Sequence, residues 1–404
     1  MKVLNLNERP LFNFFQFFIA GTFILKLLET TVSFIPPIYK YYLPISLVIS
    51  AFYILLRVKF IRGYTSIYLF YCSFFSYLFI LANVILSERI DLNGTTSLEQ
   101  HIVLLISIPA FFLYGISTSF IVQPSRLLTK SDYMFFLALC IVILINVNFN
   151  FFRLDFESFK YDKAVYLFLG DLLAMIGIYF FSFSKGKLNK LLYFSSFICL
   201  LFFVYSRTSL YFFIFSILFV LFVCSNKKAK LVFLIFSVFI SVLIVNSAHF
   251  LKDLNLSYSI NRMLFIFSGT EDGSLNGREL IFTESVKRLE SSILFGNFGD
   301  QIEVFGYWTF YIHNIVSYFR QFGIITFLLV LSILVLPFFY FLKKLLYDSR
   351  EQRSSVHVFG FTMVVYFLCI YIFSRSYLYA YAYFIPGFLI GIIYNEKDSA
   401  ITDR

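Results

Sequence analysis

Four arginines stand at or near the ends of long apolar runs: Arg207, Arg278, Arg320 and Arg375. The planar guanidinium donates paired hydrogen bonds to phosphate oxygens, and it stays charged when it is buried. An arginine in this position also fits a simpler role, in which its side chain extends to the polar surface of a bilayer. If the four converge on one face of the fold, their chemistry predicts a diphosphate ligand.

His313 is the candidate group for proton transfer. It opens an apolar run and is followed by Asn314. An imidazole that is neutral near pH 7 can accept a proton from a hydroxyl group, and a structural role is the alternative. Glu279 and Glu284 are the other possible bases, although solvated helix faces usually carry such carboxylates. The sequence contains no metal-binding or nucleotide-binding motif near these residues, so neither a metal nor a cofactor is predicted.

The elements that position these residues are membrane spans. Hydrophobic residues make up 60% of the 404 residues and charged residues 14%, and the mean hydropathy is +0.82. Such a chain has too little polar surface for a water-facing globule, and many of its apolar runs exceed the roughly 18 residues that cross a bilayer. We therefore predict an all-α polytopic membrane protein with about twelve transmembrane helices. The predicted spans are 11–28, 40–56, 64–87, 101–123, 131–149, 164–184, 188–206, 208–225, 229–248, 313–342, 355–374 and 376–394.

Three regions follow from this pattern. Residues 1–248 carry nine spans, residues 249–312 form a long polar loop, and residues 313–404 carry three spans and a short tail. We call the loop at 249–312 the insert. Its apolar positions between Arg278 and Leu294 recur at three- and four-residue steps, which predicts a short amphipathic helix at the membrane surface.

Two apolar runs are too long to be single membrane-spanning helices, so each is predicted to be interrupted. A single helix from Leu188 to Cys224 would be roughly 55 Å long, nearly twice the hydrocarbon thickness, so it must break near Arg207. The run from Val356 to Tyr394 must break near Arg375 for the same reason. Charges within the spans are few, and Lys26 and Asp171 are the main exceptions.

Basic residues set the predicted orientation. They cluster in alternate connections, such as Lys185 with Lys187 and Lys343 with Lys344, and the other connections are acidic or mixed. Because lysine and arginine mark cytoplasmic loops, we expect both termini in the cytoplasm and the insert outside. This topology accounts for the net charge of +10, and no nucleic-acid partner is predicted. The five cysteines lie in apolar segments, which predicts neither disulfides nor a zinc site.

Three segments resemble one protein family. They are SRTSLYFF at 206–213, NGRELIFTESVKRLESSILFGNFG at 276–299 and HNIVSYFRQFGIITFLL at 313–329. In this order they are similar to the O-antigen polymerase and O-antigen ligase superfamily of bacterial envelope glycan assembly. The resemblance covers roughly residues 200–330, and the first 190 residues share only their hydrophobicity.

The resemblance implies a metal-independent glycosyltransferase with a GT-C-like fold in the bacterial inner membrane. The donor would be an undecaprenyl-diphosphate-linked oligosaccharide, bound on the periplasmic side. Arg207 and Arg278 would hold its diphosphate, and His313 would lie near the hydroxyl of the acceptor glycan. Arg320 and Arg375 are added to the diphosphate site on their chemistry alone. A chain-length regulator and a flippase would be partners, together with the lipid bilayer.

Three activities stay open at this point. A polymerase would transfer the growing chain to another lipid-linked repeat unit, and a ligase would transfer it to lipid A core. A flippase, which is a transporter and not an enzyme, would move the lipid-linked unit across the bilayer. Transporters of that kind usually have two similar halves and charged residues at the bilayer midplane, and both are nearly missing from this sequence. Between the two enzymes, the abundance of Phe and Tyr, which is typical of AT-rich variable glycan clusters, favours polymerisation, and the ligase and the flippase are kept as alternatives.

Overall fold

The computed structural model describes residues 16–31, 38–57, 63–87, 95–121, 128–149, 153–154, 165–226, 230, 273–289, 293–305, 312–347 and 354–402. A short π-helix, Gln16–Ala20, leads into α1, and a 3-10 helix, Ala380–Tyr383, precedes the last α-helix. One small hairpin pairs β1 (Val147–Asn148) with β2 (Arg153–Leu154) in antiparallel register. In chain order the α-helices are α1 (Gly21–Thr31), α2 (Ile38–Arg57), α3 (Tyr64–Leu86), α4 (Thr95–Ile121), α5 (Lys130–Ile145), α6 (Val165–Phe183), α7 (Lys187–Val204), α8 (Arg207–Cys224), α9 (Gly273–Val286), α10 (Asp300–Phe305), α11 (Val316–Tyr347), α12 (Ser355–Phe373) and α13 (Phe384–Thr402).

The prediction of an all-α membrane protein is confirmed. Within the described ranges, seven helices are long and apolar enough to cross a bilayer: α3, α4, α6, α7, α8, α11 and α12. Helices also lie in the other predicted spans, except 229–248, of which the structure describes residue 230 alone. The total of twelve spans and the GT-C-like arrangement stay predictions.

Both breaks predicted from length are present. α7 ends at Val204 and α8 begins at Arg207, and Tyr205 between them takes a left-handed conformation with φ of 66°. α12 ends at Phe373, and the chain becomes helical again only at the 3-10 helix. The helix predicted at 376–394 therefore starts later than expected, because Arg375 and its neighbours form a turn.

The core is built around α6 and α12, whose side chains are buried along most of their length. Next to it, α4 and α13 approach so closely that a β-carbon added at Gly115 would lie 2.1 Å from the carbonyl oxygen of Phe384. A β-carbon at Gly387 would lie 2.0 Å from the carbonyl oxygen of Phe112. Small residues allow this backbone contact, which is a usual way for membrane helices to associate.

The helix of the insert is shorter than the sequence predicted. The prediction placed it from Arg278 to Leu294, whereas α9 ends at Val286. The error has a tertiary cause, because the backbone near Leu294 packs on α11 and does not continue a helix. The amide of Ile324 donates to the carbonyl of Ile293 at 2.8 Å, and Gly296 turns the chain with φ of 72°.

α11 is interrupted near its start. Gly323 is non-helical, with φ of 82° and ψ of 173°. The break separates a first segment, Val316 to Phe322, from the long apolar part of the helix. It also exposes backbone groups to which the insert binds.

Candidate functional site

The centre of the candidate site is a buried ion pair between α6 and the turn after α12. Asp171 and Arg375 are both 0% exposed. The Arg375 guanidinium donates from Nε to Asp171 Oδ2 at 2.6 Å and from Nη2 to Asp171 Oδ1 at 2.9 Å. The carboxylate also accepts hydrogen bonds from Ser209 Oγ at 2.7 Å and Tyr366 Oη at 2.8 Å. Both charges are thus paired and hydrogen-bonded, as burial requires.

Protein groups satisfy the other donors of Arg375. Its Nη1 donates to Thr208 Oγ1 at 3.2 Å and to Ser374 Oγ at 2.7 Å, and Nη2 also donates to Ser209 Oγ at 3.2 Å. A guanidinium has five N–H donors, and here each faces an acceptor. Arg375 is therefore placed to organise this end of the bundle, and its predicted contact with a diphosphate stays a prediction.

Close packing of α6 on the start of α8 explains how Asp171 reaches this network. A β-carbon added at Gly170 would lie 2.4 Å from Ser206 Cβ, so only glycine permits the approach. It places the beginning of α8, with Ser209, directly beside the carboxylate. Arg207 is the first residue of α8 and is half-buried. The aligned peptide dipoles make the helix start positive, which adds to the arginine's charge.

The turn before α8 is covered by a further arginine. Arg153 of β2 lies over the ring of Tyr205, with its guanidinium carbon 5.6 Å from the ring centroid. Tyr205 is the one non-glycine residue with positive φ in the described part of the chain. Arg153 thus contacts the turn that precedes Arg207, a relation that the sequence did not predict.

His313 lies on the turn that leads into α11. This turn is attached to α12, because the Ile315 amide donates to the Tyr371 carbonyl at 2.7 Å. The Tyr377 amide donates to Ser317 Oγ at 2.9 Å. These two hydrogen bonds lie on either side of Arg375 in the chain, so they fix the His313 turn next to the Arg375 turn. Asn314 begins α11 by accepting from the Val316 amide at 2.9 Å.

The imidazole of His313 lies in a positive environment. Burial lowers its pKa, and the charges of Arg278 and Arg375 lower it further, to about 3. The structure thus brings Arg278 and Arg375 within electrostatic range of His313. Because its pKa is far below 7, His313 is neutral at physiological pH and can accept a hydrogen bond, and in this environment it is a weak proton acceptor.

Arg278 is supplied by the insert. It is half-buried and lies on α9, whose Ile281 and Ser285 are buried on the same side of the helix. Residues three and seven positions after Arg278 share its face, so the docked side of α9 is the side that carries this arginine. The helix therefore brings a cation from the insert to the His313 turn.

Arg320 belongs to a separate buried network. Its Nε and Nη2 donate to Asp300 Oδ2 at 3.1 and 2.9 Å, and its Nη1 donates to Ser285 Oγ. Arg320 is 3% exposed. The structure does not group it with the Asp171 and Arg375 pair, and its predicted contact with a diphosphate also stays a prediction.

The two alternative bases lie on the outer side of α9. Glu279 is exposed, and Glu284 forms an exposed ion pair with Lys287 at 2.6 Å. The hydrogen bond and charge of Lys287 lower the pKa of Glu284, which makes its carboxylate a weaker base. In the parts of the chain that the structure describes, no three His, Cys, Asp or Glu side chains are grouped so that they could hold a metal ion.

Sequence reasoning missed the roles of Asp171, Ser209 and Tyr366. The signal for Asp171 was its charge within a predicted span, because such residues usually face a partner or a cavity. No local pattern identifies that partner, which is 204 positions away.

Comparisons with known proteins add no assignment. No protein-family model matches the chain, and no curated protein matches it. The chain's own residues are therefore the basis for a functional proposal.

Proposed function

We propose that this protein is a glycosyltransferase that polymerises undecaprenyl-diphosphate-linked oligosaccharide repeat units on the periplasmic face of the bacterial inner membrane. The observation that carries the proposal is the grouping of His313, Arg278 and Arg375 at one end of an apolar helical bundle. A neutral proton acceptor beside fixed cations suits a reaction in which a hydroxyl attacks and an anion leaves. The resemblance of the three segments to O-antigen polymerases names the substrate class.

The arginines would stabilise the leaving group. In the proposed reaction, the bond between the anomeric carbon and the diphosphate oxygen of the donor breaks, and negative charge develops on that oxygen. Arg278 on α9 and Arg207 at the start of α8 are half-buried, and these two arginines would bind the diphosphate. Cations that are fixed before the reaction stabilise such charge without reorganisation.

His313 would take the proton. The acceptor hydroxyl forms the new bond to the anomeric carbon, and its proton passes to the neutral imidazole. A pKa of about 3 makes His313 a weak base in the free protein. A bound diphosphate would place negative charge beside the imidazole and raise its pKa, because opposite charges favour the protonated form. Donor binding would thereby prepare the base.

Elongation by the purified protein is the direct test. Lipid-diphosphate repeat units are incubated with the protein, and the products are resolved by length. We expect Arg207→Ala, Arg278→Ala and His313→Ala to abolish elongation at normal protein levels. Lysine at either arginine position should rescue poorly, because it lacks the paired donors. Arg288→Ala is the matched control, since Arg288 is an exposed arginine of the same insert.

The same preparation separates the alternatives. Transfer of polymer to lipid A core without elongation would identify a ligase. Movement of lipid-linked sugar across proteoliposomes without any new glycosidic bond would identify a flippase and overturn the enzymatic proposal.

A further inference from the structure

The insert is attached to α11 by a set of buried polar contacts that the proposed reaction does not use. The Arg320 side chain is at the centre of this set. It pairs with Asp300, the first residue of α10, and donates to Ser285 of α9. One side chain of the bundle therefore binds two separate helices of the insert.

The contact with Ser285 sets the orientation of α9. It is 0% exposed and lies seven positions after Arg278 on the same face of α9. The contact between Ser285 and Arg320 therefore fixes both the rotation of α9 about its axis and its distance from α11. Rotation of α9 would move Arg278 away from the His313 turn.

Backbone contacts reinforce this arrangement at the break in α11. The carbonyl of Arg320 accepts from the Asn297 amide at 2.8 Å, and Gln321 Oε1 accepts from the Gly299 amide at 2.9 Å. Gly296 and Gly323 face each other across the contact. A β-carbon at Gly323 would lie 2.0 Å from the Leu294 carbonyl oxygen, so the two backbones touch.

An aromatic anchor completes the docking. Phe298 of the insert is buried between three rings: His101 of α4 at 5.0 Å, Phe322 at 5.5 Å and Tyr377 at 6.4 Å between centroids. The insert thus contacts the bundle through polar, backbone and aromatic groups at one place. That place is adjacent to both the Arg375 turn and the start of α11.

We infer that Arg320 is a positioning residue, which through Ser285 and Asp300 holds α9 so that Arg278 lies beside His313, and that it does not itself contact the diphosphate. This inference deepens the proposed function and rests on it for the binding measurement alone. Its geometry can be tested without any substrate.

The decisive variant is Asp300→Asn. If Arg320 positions α9, loss of the ion pair should misplace Arg278 as severely as Arg320→Gln does. Binding of undecaprenyl diphosphate should then weaken about 10- to 100-fold, the range expected for loss of one hydrogen-bonding charged group. If Arg320 contacts the diphosphate directly, Asp300→Asn should keep or strengthen binding, because it releases the guanidinium, while Arg320→Gln abolishes binding.

The geometric measurement is a spin-label distance between α9 and the bundle. Labels are placed at Gly277→Cys and Phe373→Cys in protein whose five native cysteines are replaced by alanine. Position 277 has open space at its β-carbon, and Phe373 is largely exposed. We expect a narrow distance distribution that Asp300→Asn and Arg320→Gln broaden.

Two further variants complete the design. Ser285→Ala keeps the ion pair and removes only the contact to α9, so it should broaden the distribution in a protein that still folds. Lys287→Ala is the control, because its ion pair on α9 is exposed. Unchanged distances in both Asp300→Asn and Ser285→Ala would overturn the inference. If the unaltered protein does not bind undecaprenyl diphosphate, the proposed function fails, and the distances still decide the role of Arg320.

Discussion

Asp171→Asn should destabilise the fold strongly, because it leaves Arg375 as an uncompensated buried charge. Both side chains are fully buried, and the Asp171 carboxylate accepts four hydrogen bonds, from Arg375, Ser209 and Tyr366. Asparagine removes the negative charge and also replaces one acceptor oxygen with an N–H group. Removing one partner of a buried ion pair costs about 3–5 kcal/mol. The unfolding equilibrium should therefore shift by about 10² to 10⁴, at 1.36 kcal/mol per tenfold change.

A double-mutant cycle isolates this interaction. Arg375→Gln alone should be similarly harmful, because it leaves the Asp171 carboxylate unpaired. The double variant Asp171→Asn with Arg375→Gln carries no charge at this site. Its loss of unfolding free energy should be smaller than the sum of the two single losses by about 2 kcal/mol, within the range seen for residues in contact. Replacing a whole buried pair is often tolerated, whereas breaking one is not.

The measurement is equilibrium unfolding of the purified protein in mixed detergent and dodecyl sulfate, followed by far-ultraviolet circular dichroism. Glu284→Gln is the matched control, since its pair with Lys287 is exposed and should contribute little. The reasoning is refuted if Asp171→Asn lowers the free energy of unfolding no more than this control does. It is also refuted if the two single losses add fully in the double variant.

Three further predictions concern the His313 turn, the break in α11 and the topology. The unfolded chain protonates His313 near pH 6.5 and the folded protein near 3, so stability should fall as the pH is lowered from 6.5 towards 3. His313→Gln should remove part of that loss between pH 7.5 and 5, and an unchanged pH dependence would contradict the assigned environment. Gly323→Ala should displace the insert and abolish elongation. The Gly277→Ala protein should fold and elongate normally, because a β-carbon at position 277 meets no atom within 4 Å. Equal outcomes for the two variants would contradict the docking of the insert. Impermeant maleimide should label Gly277→Cys from the periplasm and Tyr347→Cys only from the cytoplasm, and the reverse pattern would overturn the proposed orientation.

The spans could be predicted because each depends on a local property. A run such as Tyr64 to Leu86 is long and apolar enough to cross a bilayer whatever surrounds it, and α3 has those bounds. The breaks at Arg207 and Arg375 followed from the same length limit. The C-terminal half of the predicted insert helix is wrong, because Ile293 and Leu294 contact α11 and a three- to four-residue apolar pattern does not report that contact.

The sequence identified several residues of the site, but it did not identify the residues with which they pair. The residue types of Arg278 and His313 indicated a cation beside a proton acceptor, and the structure places them within electrostatic range. Arg320 and Arg375 were selected by the same chemistry, yet each is bound to a buried carboxylate, Asp300 or Asp171. A charged side chain near a membrane needs a partner, but the sequence does not say whether that partner is a ligand or another residue.

By itself, the sequence determined that the protein is helical and membrane-embedded, where most helices begin and end, and which polar residues accompany them. These properties depend on the free energy of transferring consecutive side chains from water to a bilayer. That free energy is a sum over residues that are neighbours in the chain. Only the tertiary structure decided that Asp171 binds Arg375, 204 positions away, and that the insert docks on the break at Gly323. Those choices depend on close approach of backbones and on pairing of buried charges, which arise only when distant segments pack against each other.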